Sequence, residues 1–147
     1  MIKMIIDSDI ENVSLIRKII SRLCEFTPFS RTEAFYVGLC VVESVNNAIK
    51  HAYGNELGHQ VEIIFALHSN RLILEISDTG RSMDPKYLPS KGELFIEFNP
   101  DDMDSLPEGQ MGLAIINEVM DQVAYTTSEG VNKLTLTKNF NTNLRRS

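Results

Sequence analysis

Residues 43 to 52 read Glu43-Ser-Val-Asn-Asn47-Ala-Ile-Lys50-His51-Ala52. On a helix, Glu43, Asn47 and His51 fall four apart and share one stripe, while Val42, Val45, Ile49 and Ala52 lie largely around the other side. A carboxylate in that stripe can take a proton from a hydroxyl or a water. The amide oxygen of Asn47 suits a hard, partly hydrated cation such as Mg²⁺ that also contacts phosphates. Lys50 and His51 can meet phosphate, or serve as ordinary charges near a helix C-terminus. Each residue alone is equally a solvated surface group, and only the company of all of them points to chemistry.

Two further groups carry chemical potential. Asp78-Thr-Gly80 follows an alternating apolar run, where a carboxylate can accept from an exocyclic amino group and glycine lets a ring approach the backbone. Gly109-Gln-Met111-Gly112 precedes the apolar series Leu113, Ile116, Val119 and Met120, so unpaired N–H groups at a helix start can face an anion. Either motif alone is weak, because Asp and Gly are also ordinary turn residues. The order and setting of the three together are the signal.

The elements that must position these residues are legible from periodicity. Residues 2 to 6 form a short apolar strand. A capping box, Ser8-x-x-Glu11, opens a helix carrying Val13, Ile16, Ile20 and Leu23 to about Glu25, and a second, Ser30-x-x-Glu33, opens a helix that runs through the 43–52 stripe and ends near Gly54. Gln60 to Leu67 and Arg71 to Ser77 alternate around His68-Ser-Asn-Arg71 as an antiparallel hairpin, and Val123 to Thr127 with Lys133 to Lys138 form a last hairpin around Ser128-Glu-Gly130. Strand, two helices, hairpin, helix, hairpin predicts an α+β fold with helices over one mostly antiparallel sheet.

The chain has 147 residues, 43% of them apolar, which suits one domain with a real core. Its net charge of −6 argues against a general phosphate-backbone binder, so no nucleic acid is expected as partner. Residues 84 to 108 hold seven acidic residues against two lysines, with four of the five prolines, and read as an acidic lid. Residues 141 to 147 read as a tail. Cys24 and Cys40 sit inside apolar helical patterns without metal-ligand spacing and are expected to be buried thiols. With too short an apolar run at the N-terminus for a signal peptide and no stretch fit to span a bilayer, a cytoplasmic protein is expected.

Taken together, the motifs resemble those of the GHKL ATPases, and within them the small bacterial anti-sigma factor serine/threonine kinases. Glu43-x-x-x-Asn47-Ala-x-x-His51-Ala-Tyr53 matches the N box, Asp78-x-Gly80 the first glycine box, and Glu108-Gly-Gln-Met-Gly112-Leu113 the second. Met120-Asp-Gln-Val123 and Leu134-Thr-Leu-Thr137 match the end of the domain. The resemblance implies a Bergerat-type two-layer α/β sandwich spanning residues 1–140, with ATP or ADP and Mg²⁺ as ligands.

It further implies Glu43 as general base, Asn47 as Mg²⁺ ligand, and Asp78 as acceptor from the adenine amino group. Gly80 would make room for the base, Gly109, Met111, Gly112 and Leu113 would wrap the phosphates, and Thr135 would be the late adenine-side threonine. The implied partner is an anti-anti-sigma-like protein phosphorylated on serine, and a homodimer using the same surface can sequester a sigma factor. Ser82 departs from the D-x-G-x-G form of the first glycine box. A nucleotide-gated binding module with little or no kinase activity stays open as the alternative; a detached histidine-kinase catalytic domain fits less well, because the first 25 residues offer only one helix.

Overall fold

In a computed structural model of the chain, residues 1–83 and 110–140 are described; the expected acidic lid and the tail lie outside them. The elements run β1 (Ile2–Asp7), α1 (Asn12–Cys24), α2 (Arg31–Asn47), a π-helical turn (Ala48–Ala52), β2 (Gln60–Leu67), β3 (Arg71–Asp78), α3 (Gln110–Val119), β4 (Gln122–Ser128) and β5 (Val131–Asn139). The strands form one sheet in the order β1-β2-β3-β5-β4, with every pairing antiparallel. Three helices cover one face of it, which is the expected two-layer α/β arrangement.

Strand alternation decides which side chains meet the helices. Val61, Ile63 and Phe65 of β2, Leu72, Leu74 and Ile76 of β3, and Leu134 and Leu136 of β5 are buried, while their neighbours in sequence, apart from the buried Thr137, are at least partly exposed. Opposite them pack Ile16 and Ile20 of α1, Val37, Val41 and Val45 of α2, and Ile115 and Ile116 of α3, all at most 1% exposed. Each large aliphatic side chain so placed contributes about 1.5–3 kcal/mol. Both cysteines are buried free thiols in this core, and burial pushes Cys24 up to about 11 and Cys40 up to about 12.

Helix starts follow the sequence in one case and depart from it in the other. Ser30 and Glu33 form the reciprocal capping box, with Ser30 Oγ accepting from Glu33 N–H at 3.1 Å and Glu33 Oε1 from Ser30 N–H at 3.0 Å. Ser8 and Glu11 do not. Ser8 is 1% exposed, and its hydroxyl donates to Glu56 C=O at 2.7 Å and accepts from His59 N–H at 3.1 Å. The long-range partners take the hydroxyl that a local cap would have used, and Asp9 instead accepts from Glu11 N–H at 3.0 Å. At the other end of α3, Lys138 donates to the Val119 carbonyl at 3.1 Å, satisfying one of the orphan acceptors there.

The second helix also ends differently from its expected course to Gly54. Its α geometry stops at Asn47, and a π turn follows, closed by Tyr53 N–H donating to Ala48 C=O five residues back at 3.0 Å. Such turns occur mostly as short insertions in α-helices, frequently at functional sites. Here the turn falls inside the 43–52 motif.

Candidate functional site

Glu43 and Asn47 lie one turn apart on α2, both half-buried, with Glu43 against Gly112 in the first turn of α3. Gly112 is where the Glu43 carboxylate meets α3. A Cβ on that glycine would fall 2.6 Å from Glu43 Oε2, so any side chain would displace the carboxylate. Glu43 therefore sits against the first turn of α3, where backbone N–H groups have no intrahelical partner and the helix dipole favours negative charge. Burial nevertheless holds the Glu43 carboxyl above the ordinary glutamate range, opposed by the nearby Lys50 ammonium.

The other members of that motif are dispersed. Lys50 is exposed and follows Val42 and Asn46 along the adjacent stripe, lining with Ile10, Val13 and Arg17 a groove between α1 and α2. His51 is exposed in the π turn, and its side chain makes no hydrogen bond among the described residues. Among the described residues no cluster of three or more His, Cys, Asp or Glu side chains could hold a metal.

The second end of the site is built on β3. Asp78 closes the strand, and its Oδ1 accepts from Gly80 N–H at 3.0 Å and from Asn132 Nδ2 at 2.8 Å. Burial raises the Asp78 carboxyl above the ordinary aspartate range, with the Asn132 and Gly80 hydrogen bonds opposing it. Gly80 is pressed against the end of the π turn: a Cβ there would run into the Ala52 carbonyl and come within 2.9 Å of Tyr53 Cδ1. Next to it, Arg81 N–H donates to Ala52 C=O at 2.9 Å. The missing side chain at residue 80 thus accommodates the protein's own backbone.

Tyr53 makes a second tie across the same junction. Its ring is buried and stacks on His59 at 4.5 Å, and its hydroxyl accepts from Thr79 N–H at 2.8 Å while donating to Gln60 C=O at 2.5 Å. Removing the hydroxyl breaks both of these part-buried hydrogen bonds to the main chain. Tyr53→Phe is expected to lower unfolding free energy by about 1–3 kcal/mol, read as a lower urea midpoint at unchanged slope.

Thr135 does not belong to this site. It pairs in register with Glu75 and Ala124, one residue out of phase with Asn132, Leu134 and Leu136, so it stands on the sheet face away from the helices. The residue of β5 that reaches Asp78 is Asn132, 1% exposed, which also donates to Gly80 C=O at 3.0 Å. Sequence reasoning missed it, although an Asn in phase with two core leucines was a usable signal. Tyr125 was missed as well: its hydroxyl accepts from Met83 N–H at 2.8 Å, fixing the last described residue before the expected lid. Ser82 is exposed and lies outside the left-handed backbone region. Gly109 falls outside the described residues, Met111 lies in the first turn of α3, and Leu113 is half-buried beside Gly112.

Comparison with known proteins gives a consistent result. Residues 6–138 match the histidine kinase-like ATPase domain family. The chain is 30% identical over 133 residues to the serine-protein kinase RsbW of Bacillus cereus, covering 90% of this chain and 81% of that protein. It is 35% identical over 137 residues to the protein of the same name from Staphylococcus epidermidis, covering 88% and 81%. In fold it is similar to a chain of the SiaB–SiaC complex from Pseudomonas aeruginosa, with TM-score 0.57 at 13% identity and coverage of 93% and 88%. The histidine kinase domain of a blue-light activated kinase from Erythrobacter litoralis gives TM-score 0.53 at 14% identity, covering 88% of this chain and 59% of that one.

Proposed function

Since this chain belongs to the histidine kinase-like ATPase domain family, we propose that it is an ATP- and Mg²⁺-dependent serine/threonine protein kinase of the anti-sigma type. Its substrate is a serine of a small anti-anti-sigma-like partner, and the same surface, as a homodimer, sequesters a sigma factor. The observation that carries the reading is the Glu43 carboxylate, half-buried against the first turn of α3, with the Asn47 amide one turn further on.

The donor set fits Mg²⁺. The neutral amide oxygen of half-buried Asn47, one helical turn from the Glu43 carboxylate, is the kind of hard oxygen donor that Mg²⁺ takes alongside waters and phosphate oxygens. Bound there, the ion neutralises charge on the phosphates. The N–H groups at the start of α3 bind the phosphate oxygens, and Asp78 accepts from the adenine amino group. Glu43 takes the proton of the partner's serine hydroxyl as that oxygen bonds to the γ-phosphorus. The bond from γ-phosphorus to the bridging oxygen breaks, and ADP leaves with that electron pair. Burial supports this role, because a raised carboxyl is a better proton acceptor than an ordinary one.

No helix among the described residues is long and apolar enough to cross a membrane, and the proposed setting is the cytoplasm. Incubation with labelled ATP and a small anti-anti-sigma-like protein is expected to label one serine. Asn47→Ala is expected to weaken Mg²⁺-dependent ATP binding at least about tenfold by calorimetry while leaving the Mg²⁺-free value nearly unchanged. Tight ATP binding with no transfer to any such partner would favour a nucleotide-gated binding module.

A further inference from the structure

At the helix-facing level of Asp78, three strands present one polar side chain each: Asp78 of β3, Asn132 of β5 and Thr127 of β4. Thr127 Oγ1 donates to Asn132 Oδ1 at 2.9 Å, and Asn132 Nδ2 donates to both Asp78 Oδ1 at 2.8 Å and Gly80 C=O at 3.0 Å. The amide can sit only one way round, because the Gly80 carbonyl and an ionised Asp78 are both acceptors and require the NH₂ group. Asn132 is 1% exposed, so both amide atoms are committed inside the protein. With Gly80 N–H on the same oxygen, Asp78 Oδ1 receives two hydrogen bonds, whereas Oδ2 receives none among the described residues.

We propose that Asn132 is the positioning residue for base selection: by fixing Asp78 Oδ1 it turns Oδ2 outward as a lone acceptor, which admits a purine with a 6-amino donor and disfavours one lacking it. The proposal rests on the ATP-site reading above. It follows from the asymmetry of the two carboxylate oxygens, since an acceptor without a matching donor loses its hydrogen bond on desolvation. A purine carrying a carbonyl at that position would set acceptor against acceptor. The two hydrogen bonds also act to hold Asp78 in its acceptor form against the burial that raises its carboxyl.

The test compares binding of ATP and of purine riboside triphosphate, which lacks the 6-amino group, by calorimetry with the full chain. Wild type is expected to prefer ATP by about tenfold or more. Asn132→Leu and the near-isosteric Asn132→Asp, which sets a second carboxylate against Asp78, are both expected to bring that preference to within about threefold, chiefly by weakening ATP. Asn132→Asp keeps the volume and carries the test if the leucine variant does not fold. If both nucleotides weaken equally in the variants and the preference survives, Asn132 is only structural and the proposal is overturned. If wild type binds neither nucleotide, the ATP-site reading itself fails, a result distinguishable from the first.

Discussion

Glu43→Gln is expected to reduce phosphoryl transfer by about 10²–10⁴-fold while changing ATP affinity by no more than about threefold. The two parts of the expectation have separate physical origins. Glutamine keeps the volume of glutamate, so the contact with Gly112 and the spacing of α2 and α3 are retained. What it lacks is a group able to accept the hydroxyl proton. Single-turnover transfer and equilibrium ATP binding, measured on the same variant, check the separation. Transfer at the wild-type rate would remove Glu43 from the chemistry.

The pH profile gives an independent reading of the same group. Burial raises the Glu43 carboxyl, and the base is active only when ionised. Transfer should therefore fall on the acid side through a pH above the ordinary glutamate range. The Lys50 ammonium favours the ionised form, so Lys50→Met should move that limb upward again.

Gly80→Ala is the second large effect, expected at the level of the unliganded fold. The new methyl would run into the Ala52 carbonyl and the Tyr53 ring, neither of which is the free end of a flexible side chain. Overpacking of this kind costs about 1–3 kcal/mol, and the shifted turn would carry Asp78 with it and weaken ATP binding more than about tenfold. Urea denaturation without nucleotide distinguishes this from a glycine needed only to admit a base. In that case the stability of the unliganded protein would be unchanged and only the affinity would fall.

The fold was largely legible because periodicity and turn chemistry agree along most of the chain. The Ser30–Glu33 box, the hairpin around His68 and the alternation of β2, β3 and β5 all appear where local pattern placed them. Local pattern failed where a distant partner outcompeted a near one, as when Ser8 bonds to Glu56 and His59 in place of capping α1. It failed again at the π turn, which no simple spacing rule encodes. At the candidate site, Glu43, Asn47, Asp78, Gly80 and Gly112 could be named from sequence because each lies in a short motif. Asn132 was not, because its meaning comes from strand register across β3 and β5, and Thr135 was chosen from the wrong phase of the same strand.

The Ala52 carbonyl, which accepts from Arg81 N–H and lies against Gly80, has a consequence for how this protein would look in a mutational scan. Residue 52 is already alanine, and the group that couples the two halves of the pocket is its main chain. Side-chain replacement cannot delete it. A scan would leave this contact silent at its source and record it at residue 80, on the far side. Replacing the Ala52–Tyr53 peptide bond with an ester, which weakens that carbonyl as an acceptor and removes the Tyr53 N–H, is the kind of backbone chemistry that would reach it directly.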